Sequence, residues 1–551
     1  MSENVPTLRK NLDLFATFLN KERSIIFHVI TYAIAVGLFS LIIPLTVQEL
    51  VNTFAFSVSP LMVVTLVGIM AGILFFVGIF KVLQFYATDM MERRFFVRMV
   101  LHLAKLLPQF KENTFRSEFI NRFFETVLLQ RAVSSLFIDL INVVVGGLIG
   151  MILLALYHPF FIVFDIALII SIVLIAILGK GGLRQTIYMS EAKYEVVHWF
   201  QEVADNLFQF KATNCADFIL QNADKRAAEY VEARKSRFSV LVRQYVGSIF
   251  LQVVLHTALL GTAGWLLSQD ELTLGQLVAA EVVIAGILLN MDSVVKRAYV
   301  VYYFFTALVE LDHLFSLPKD TAISGLDISI PESDPKGINL QFVQLDKDGD
   351  GETSLNVFGF DAKPGEKLGL ICTTEVMRHR MAKALAGLEQ PPKCVVRYNG
   401  VDLKNLSPNQ IGMQRGILFG RRYTLFEGTL AENITMGRPG IDSKDLLWAL
   451  SISELEQDLA EMPLGLETLV LDGGNSLTPS QRIRVLLARA IITRPSLLIL
   501  DGAIHEVPAR IREPILNRLS SNECPWTLIV VTTDPNIEKY VDSSLNMKKL
   551  F

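Results

Sequence analysis

Six separate stretches of mostly apolar residues constrain this chain more than any other feature. About 20 such residues are needed for a helix to cross the hydrocarbon of a bilayer, and only a helix satisfies its own backbone polar groups there. Ser24–Val47, Leu61–Phe80, Leu140–Tyr157, Phe160–Gly179, Gln244–Ser268 and Leu272–Met291 meet the requirement, the last being the weakest because Glu281 interrupts it. All six lie before residue 312. The remaining 240 or so residues read as an ordinary soluble domain. The chain as a whole is 51% hydrophobic and only 19% charged, where a soluble protein carries about 25% charge. Its net charge is −4 and no basic block stands out, so nothing in it resembles the electrostatic footprint of a nucleic-acid binder.

Orientation follows from the distribution of Lys and Arg. Gln48–Pro60, Tyr157–Pro159 and Gln269–Glu271 contain neither. The segments after spans two and four are basic, with Lys81, Arg93, Arg94, Arg98 and Lys105, then Lys180, Arg184, Lys193, Lys225, Arg226 and Arg234. Both termini are therefore expected on the cytoplasmic side. From Lys81 to Arg131 and from Lys180 to Arg243 the chain has little Gly or Pro, which predicts that spans two to five continue as helices well beyond the membrane. Cys215, Cys372, Cys394 and Cys524 all fall on the cytoplasmic side, where thiols stay reduced. Asp139, Asp165, Glu281 and Asp292 lie in or near spans; an ionisable group there is a functional candidate by default, and Asp165 and Glu281 are the candidates for an intramembrane polar path. A neighbouring helix could equally satisfy them.

Between Ser316 and Gly337 the composition changes, with Pro318, Pro331 and Pro335 among Ser, Asp and Gly. The division this implies is an N-terminal segment 1–22, a membrane domain 23–312, a linker 313–336 and a soluble domain 337–551. In the last, the short β-rich runs Lys367–Ile371, Gly416–Phe419, Leu497–Leu500 and Thr527–Val531 alternate with helical stretches, the pattern of a largely parallel α/β sheet. Asp346-Lys-Asp-Gly-Asp-Gly351 resembles the start of a calcium loop, but position twelve is Val357 and the flanks are strands; a polar hairpin is expected.

Several runs in the soluble half then become specific. Pro364–Ile371, Ala384–Leu388, Leu425–Asn433, Leu477–Gln481, Leu486–Ala490 and Leu497–Asp501 follow, in order, the landmarks of the ABC exporter family: the strand into the phosphate loop, the helix after it, the segment after the Q-loop, the signature with its helix, and the Walker B strand. The chain thus resembles a half-transporter of that family. The resemblance implies a polytopic α-helical membrane domain of about six spans with long cytoplasmic helical extensions, fused to an α/β P-loop-like ABC nucleotide-binding domain. It also implies that Asn121–Glu125 and Trp199–Phe210 are tips that dock on nucleotide domains, ordinary helix packing being the alternative.

The chemistry departs from the family pattern. Its phosphate loop is G-x-x-x-x-G-K-[ST], in which backbone N–H groups cradle phosphates, Lys reaches them and the hydroxyl holds Mg²⁺. Here the ungapped register gives Cys372 through His379: Cys372 and Met377 replace the glycines, Glu375 adds a carboxylate, Arg378 stands at the lysine and His379 at the hydroxyl. Asp501 keeps the Walker B aspartate, but the general base position is Gly502, the switch histidine is Thr533, and the Q-loop glutamine falls on Arg421, or Gly420 with a one-residue shift. Phosphoryl transfer needs positioned charge, metal and an oriented water, so no intact catalytic residue is expected. The signature is less altered. Thr478, Pro479, Ser480 and Gln481 retain a hydroxyl and N–H groups at a helix start, suited to an anion, although an ordinary capped helix start accounts for them as well.

The function implied is a non-hydrolytic subunit of an ABC exporter in an inner membrane, supplying half of a translocation path. ATP and Mg²⁺ are then expected only at a site shared with a second, catalytically intact half-transporter, a heterodimer being favoured over a homodimer. A periplasmic adaptor is a further partner this architecture allows. The alternative is a homodimeric membrane scaffold or regulatory protein.

Overall fold

In the computed structural model, residues 20–56, 60–111, 117–135, 138, 140–319, 330–331, 334–347, 355–389, 391, 394–420 and 425–547 are described. Asp139 and Arg421 lie outside them. The chain divides into two compact units, 1–320 and 321–551.

The first unit is helical: α1 Arg23–Ser40, α2 Ile42–Phe56, α3 Pro60–Leu106, α4 Glu125–Ser135, α5 Ile141–Tyr157, α6 Phe161–Leu178, α7 Gly182–Asp205, α8 Leu207–Ala212, α9 Ala216–Ser268, α10 Leu274–Lys296 and α11 Ala298–Phe315. Among the described residues, five helical segments are long and apolar enough to cross a membrane, and the apolar α5 is shorter. The sixth expected span, the weakest in the sequence because Glu281 interrupts it, is among the five, and the shorter element is the third. The first span is also not one uninterrupted helix. It breaks at Leu41, because Pro44 has no N–H to offer and its ring crowds the carbonyl of Ser40, four residues back.

Span two does continue, α3 running unbroken for 47 residues, and span five belongs to the 53-residue α9. Span four instead pauses at Gly179–Gly181, with Gly181 left-handed at φ +91°. The carbonyls freed at that break are satisfied from α9: Arg243 donates through Nε to Leu178 O and through Nη2 to Lys180 O, both at 2.8 Å. Nearer the basic end, two buried carboxylates hold elements together. Glu125 accepts from Lys193 Nζ (2.5 Å) and the Tyr194 hydroxyl (2.6 Å), and Glu310 accepts from Arg122 Nη1 (2.5 Å). Burial pushes the Glu310 carboxyl up, and Arg122 partly offsets this.

In the second unit, β1 Leu340–Lys347 and β2 Leu355–Ala362 pair as an antiparallel hairpin, the arrangement expected around the acidic loop. There follow β3 Lys367–Cys372, α12 Glu375–Leu385, β4 Cys394–Tyr398, β5 Val401–Asp402, α13 Pro408–Gln414, β6 Arg415–Phe419, β7 Gly428–Thr429, α14 Leu430–Thr435, α15 Ser443–Ile452, α16 Glu456–Glu461, β8 Leu469–Val470, α17 Pro479–Ile491, β9 Leu497–Asp501, α18 Ala509–Leu519, β10 Thr527–Thr532 and β11 Ser543–Met547. The main sheet runs β11-β3-β10-β9-β6, every pairing parallel. A second sheet, β2-β1-β4-β5, is antiparallel. The four apolar runs picked out in the sequence are β3, β10 and β9, the three inner members of the parallel sheet, and its edge strand β6; β9 and β10 are buried along their whole length, as a strand covered on both faces requires.

Candidate functional site

The ends of β3, β9 and β10 converge with the start of α12 on a cavity of about 850 Å³. Ligands of open parallel sheets bind at such carboxyl ends, so the elements stand where a nucleotide site would be built. The turn from β3 to α12 is short. Only Thr373 and Thr374 separate the last strand residue from Glu375, the first of the helix, so the six-residue loop implied by the ungapped register is not formed. Thr374 is extended at φ −137° and caps the helix: its Oγ1 accepts from Met377 N (3.2 Å) and its carbonyl from Arg378 N (3.0 Å). The Met377 N–H, which a phosphate cradle would turn toward a ligand, is spent on the Thr374 side chain. A residue with a Cβ at 372 and at 377 favours this outcome, since neither supplies a glycine's left-handed freedom.

Arg378 and His379, one turn into α12, both reach Asp501 at the end of β9. Arg378 Nη1 bonds Asp501 Oδ1 and also the Asp501 carbonyl, while His379 Nδ1 lies 2.9 Å from Asp501 Oδ2. Both oxygens of the one retained Walker B carboxylate are thereby engaged. Asp501 is 1% exposed on its side chain; burial raises its pKa, and His379 and Arg378 pull it partly back. Arg378 also bonds Glu375 Oε2, through Nε (3.1 Å) and Nη2, and Thr533 Oγ1 donates to Glu375 Oε1 (3.2 Å). Burial pushes the Cys372 thiol up to about 11, leaving it protonated. Gly502 is left-handed at φ +55°.

His505, Arg512 and Asp534, none of which the sequence singles out as ligands, also line this cavity. His505 Nε2 is 2.9 Å from Thr532 Oγ1 and its Nδ1 is 3.6 Å from Asp534. The Asn536 backbone N–H holds the Asp534 carboxyl below its usual range. The spacing of Glu375 and Arg378, three apart at a helix start, is the signal that could have revealed the ion pair. The Met377 N–H is thus capped by a side chain, and both oxygens of the Asp501 carboxylate are engaged within the chain. Among the described residues, no group of three or more His, Cys, Asp or Glu is placed to hold a metal.

The signature residues stand at the start of α17. Thr478 is its N-cap, accepting from Gln481 N (3.2 Å), and the Gln481 side chain returns the bond to Thr478 N (2.9 Å); Pro479 occupies the first turn. Gln481 also donates to Asp458 Oδ1 (2.8 Å), and Arg484 donates to Asp458 Oδ2 (2.6 Å). Ser480 Oγ is buried without a hydrogen-bond partner. In the membrane unit, Asp165 is buried on α6, its Oδ1 unpartnered, and Glu281 on α10 pairs with His256 of α9 at 3.3 Å. No hydrogen bond or ion pair joins Asp165 to Glu281 among the described residues.

Residues 355–505 match the family described as "ABC transporter". The soluble unit carries an ABC transporter domain. The whole chain has an exporter-type fold: it superposes with a TM-score of 0.84 on a bacterial Atm1-family ABC exporter with ATP bound, covering 96% of this chain and 93% of that one at 15% identity. It is 22% identical over 537 residues to the lactococcin transport/processing ATP-binding protein LcnC-like of Lactococcus lactis subsp. lactis (strain IL1403), across 93% of this chain and 72% of that protein. It is 23% identical over 342 residues to the leukotoxin translocation ATP-binding protein LktB of Mannheimia glucosida, across 62% of this chain and 47% of that protein.

Proposed function

We propose that this chain is a non-hydrolytic subunit of an ABC-type exporter that supplies half of a translocation path and relies on a second half-transporter for ATP hydrolysis. The observation that carries the reading is the engagement of Asp501 by Arg378 and His379, beside a strand–helix turn in which the Thr374 hydroxyl accepts the Met377 N–H. Gly502 provides no general base and Thr533 no imidazole. The unpartnered hydroxyl of Ser480 supports a role for the α17 start in a site completed from elsewhere, because a buried hydroxyl without a partner costs free energy unless something uses it. Relatives whose names concern lactococcin transport and leukotoxin translocation support a transport role. An inner membrane, with both termini cytoplasmic, is the location that the Lys and Arg distribution favours.

The test is ATP turnover by the purified full-length chain beside its Asp501→Asn variant. Equal, background-level turnover in both is expected. Turnover that disappears in the variant would refute the proposal. A native mass of the complex drawn gently from its own membrane should show a 1:1 assembly with a half-transporter carrying an intact phosphate loop; a bare homodimer would favour the scaffold reading instead.

A further inference from the structure

We propose that Arg378 is the resident cation of Asp501, a guanidinium that holds the junction of β3, β9 and β10 closed with neither metal nor nucleotide, and that Gly502 is glycine because it must leave room for it. This rests on the non-hydrolytic reading of the domain and supplies its physical cause.

The first support is the reach of one side chain. Arg378 bonds the Asp501 carboxylate, the Asp501 main-chain carbonyl and the Glu375 carboxylate. Glu375 in turn accepts from Thr533, just beyond β10. One fork therefore ties the first turn of α12 to the ends of two neighbouring strands, the parts that a bound metal and its phosphates would otherwise bridge. Only a planar group with several donors in fixed directions does this; an ammonium is a point charge on a flexible stem and cannot serve three acceptors in that geometry. The side chain is 14% exposed and its Asp501 partner 1%, so the pair is shielded from screening by salt.

The second support is steric and independent of the first. A Cβ at Gly502 would come within 2.5 Å of Arg378 Nη1 and 2.9 Å of its Cζ. Contacts that short do not occur, so a side chain at 502 would push the guanidinium, the end of a flexible side chain, out of this position. The arginine at the lysine position and the glycine at the general-base position, read from the sequence as two separate losses, are one matched pair. The left-handed φ of +55° at Gly502 adds a second reason for glycine there.

The test is thermal unfolding of the full-length chain in detergent. The wild-type midpoint should be the same in EDTA, in Mg²⁺ and in Mg²⁺ with ATP. Arg378→Met and Gly502→Ala should each lower it by several degrees, and Arg378→Lys should not restore it. The combined variant should melt with Gly502→Ala alone, because both changes break the same contact and the strain of Ala at 502 is already counted. A midpoint lower by the sum of the two losses would overturn the proposal, as would a wild-type midpoint raised by Mg²⁺ and ATP. Turnover assayed on the same samples separates the two ideas. ATP hydrolysis by the wild-type would sink the proposed function; additive losses without hydrolysis would sink only the role of Arg378.

Discussion

Arg484 is 3% exposed on its side chain, and a guanidinium so placed is tolerated only with its charge answered. Asp458 answers it at 2.6 Å, and Glu454 contributes a main-chain carbonyl. Burial works against the Asp458 carboxylate, but hydrogen bonds from Arg484 and Gln481 outweigh it and hold its pKa below the ordinary value. Asp458→Asn should therefore destabilise the chain by about 1–3 kcal/mol at neutral pH. The sign of the pH dependence follows from linkage. The folded carboxyl is the stronger acid, so its bonus is complete above the unfolded pKa and disappears as pH falls through the folded one. Denaturant midpoints of wild type and variant should converge in that acidic range; a gap that stays constant with pH would refute the account. At the same scale, Gly502→Glu alone should yield no ATP turnover, because it displaces Arg378 but leaves His379 on Asp501 and no imidazole at Thr533.

Helix termini are the elements whose behaviour the residues predict most directly. Thr478 closes a reciprocal capping box on α17, so Thr478→Val should cost about 1 kcal/mol, read as a lower unfolding midpoint. The Ser480 hydroxyl makes no hydrogen bond, so Ser480→Ala should leave that midpoint almost unchanged. If α17 completes a site in a complex, Ser480→Ala should nevertheless reduce transport by the intact assembly several-fold. Unchanged transport would return the motif to a plain helix start. The four core strands were legible as apolar runs because a buried parallel strand needs no alternation. The short turn before α12 was not, since a motif register assumes the loop length that the capping by Thr374 removes.

For the whole molecule, the two halves were legible from hydropathy alone. Bilayer thickness sets span length before any packing is known. What hydropathy could not supply was continuity: Pro44 and Gly181 break helices that the apolar pattern would run on, and α5 is shorter than its neighbours. The topology makes a direct prediction about thiols. Cys215 precedes α9 and Cys524 lies before β10, both partly exposed, while Cys372 and Cys394 are buried. A membrane-impermeant maleimide should label Cys215 and Cys524 in inverted vesicles and neither in intact cells. Labelling of both Cys215 and Cys524 from the outer side would reverse the proposed orientation.

The sequence by itself determined the class of each half and the strands at whose ends the candidate site lies, because span length, charge asymmetry and apolar runs are local properties. It also exposed each departure at the phosphate loop, at 502 and at 533, one residue at a time. Only the tertiary structure decided what those departures do together. The pair 375 and 378, the pair 501 and 502, and residue 533 lie far from one another along the chain, and their complementarity arises when parallel pairing brings β3, β9 and β10 side by side. Whether an arginine and a glycine are two losses or one fitted contact is a question of distance, and distance between strands is not written in any local pattern.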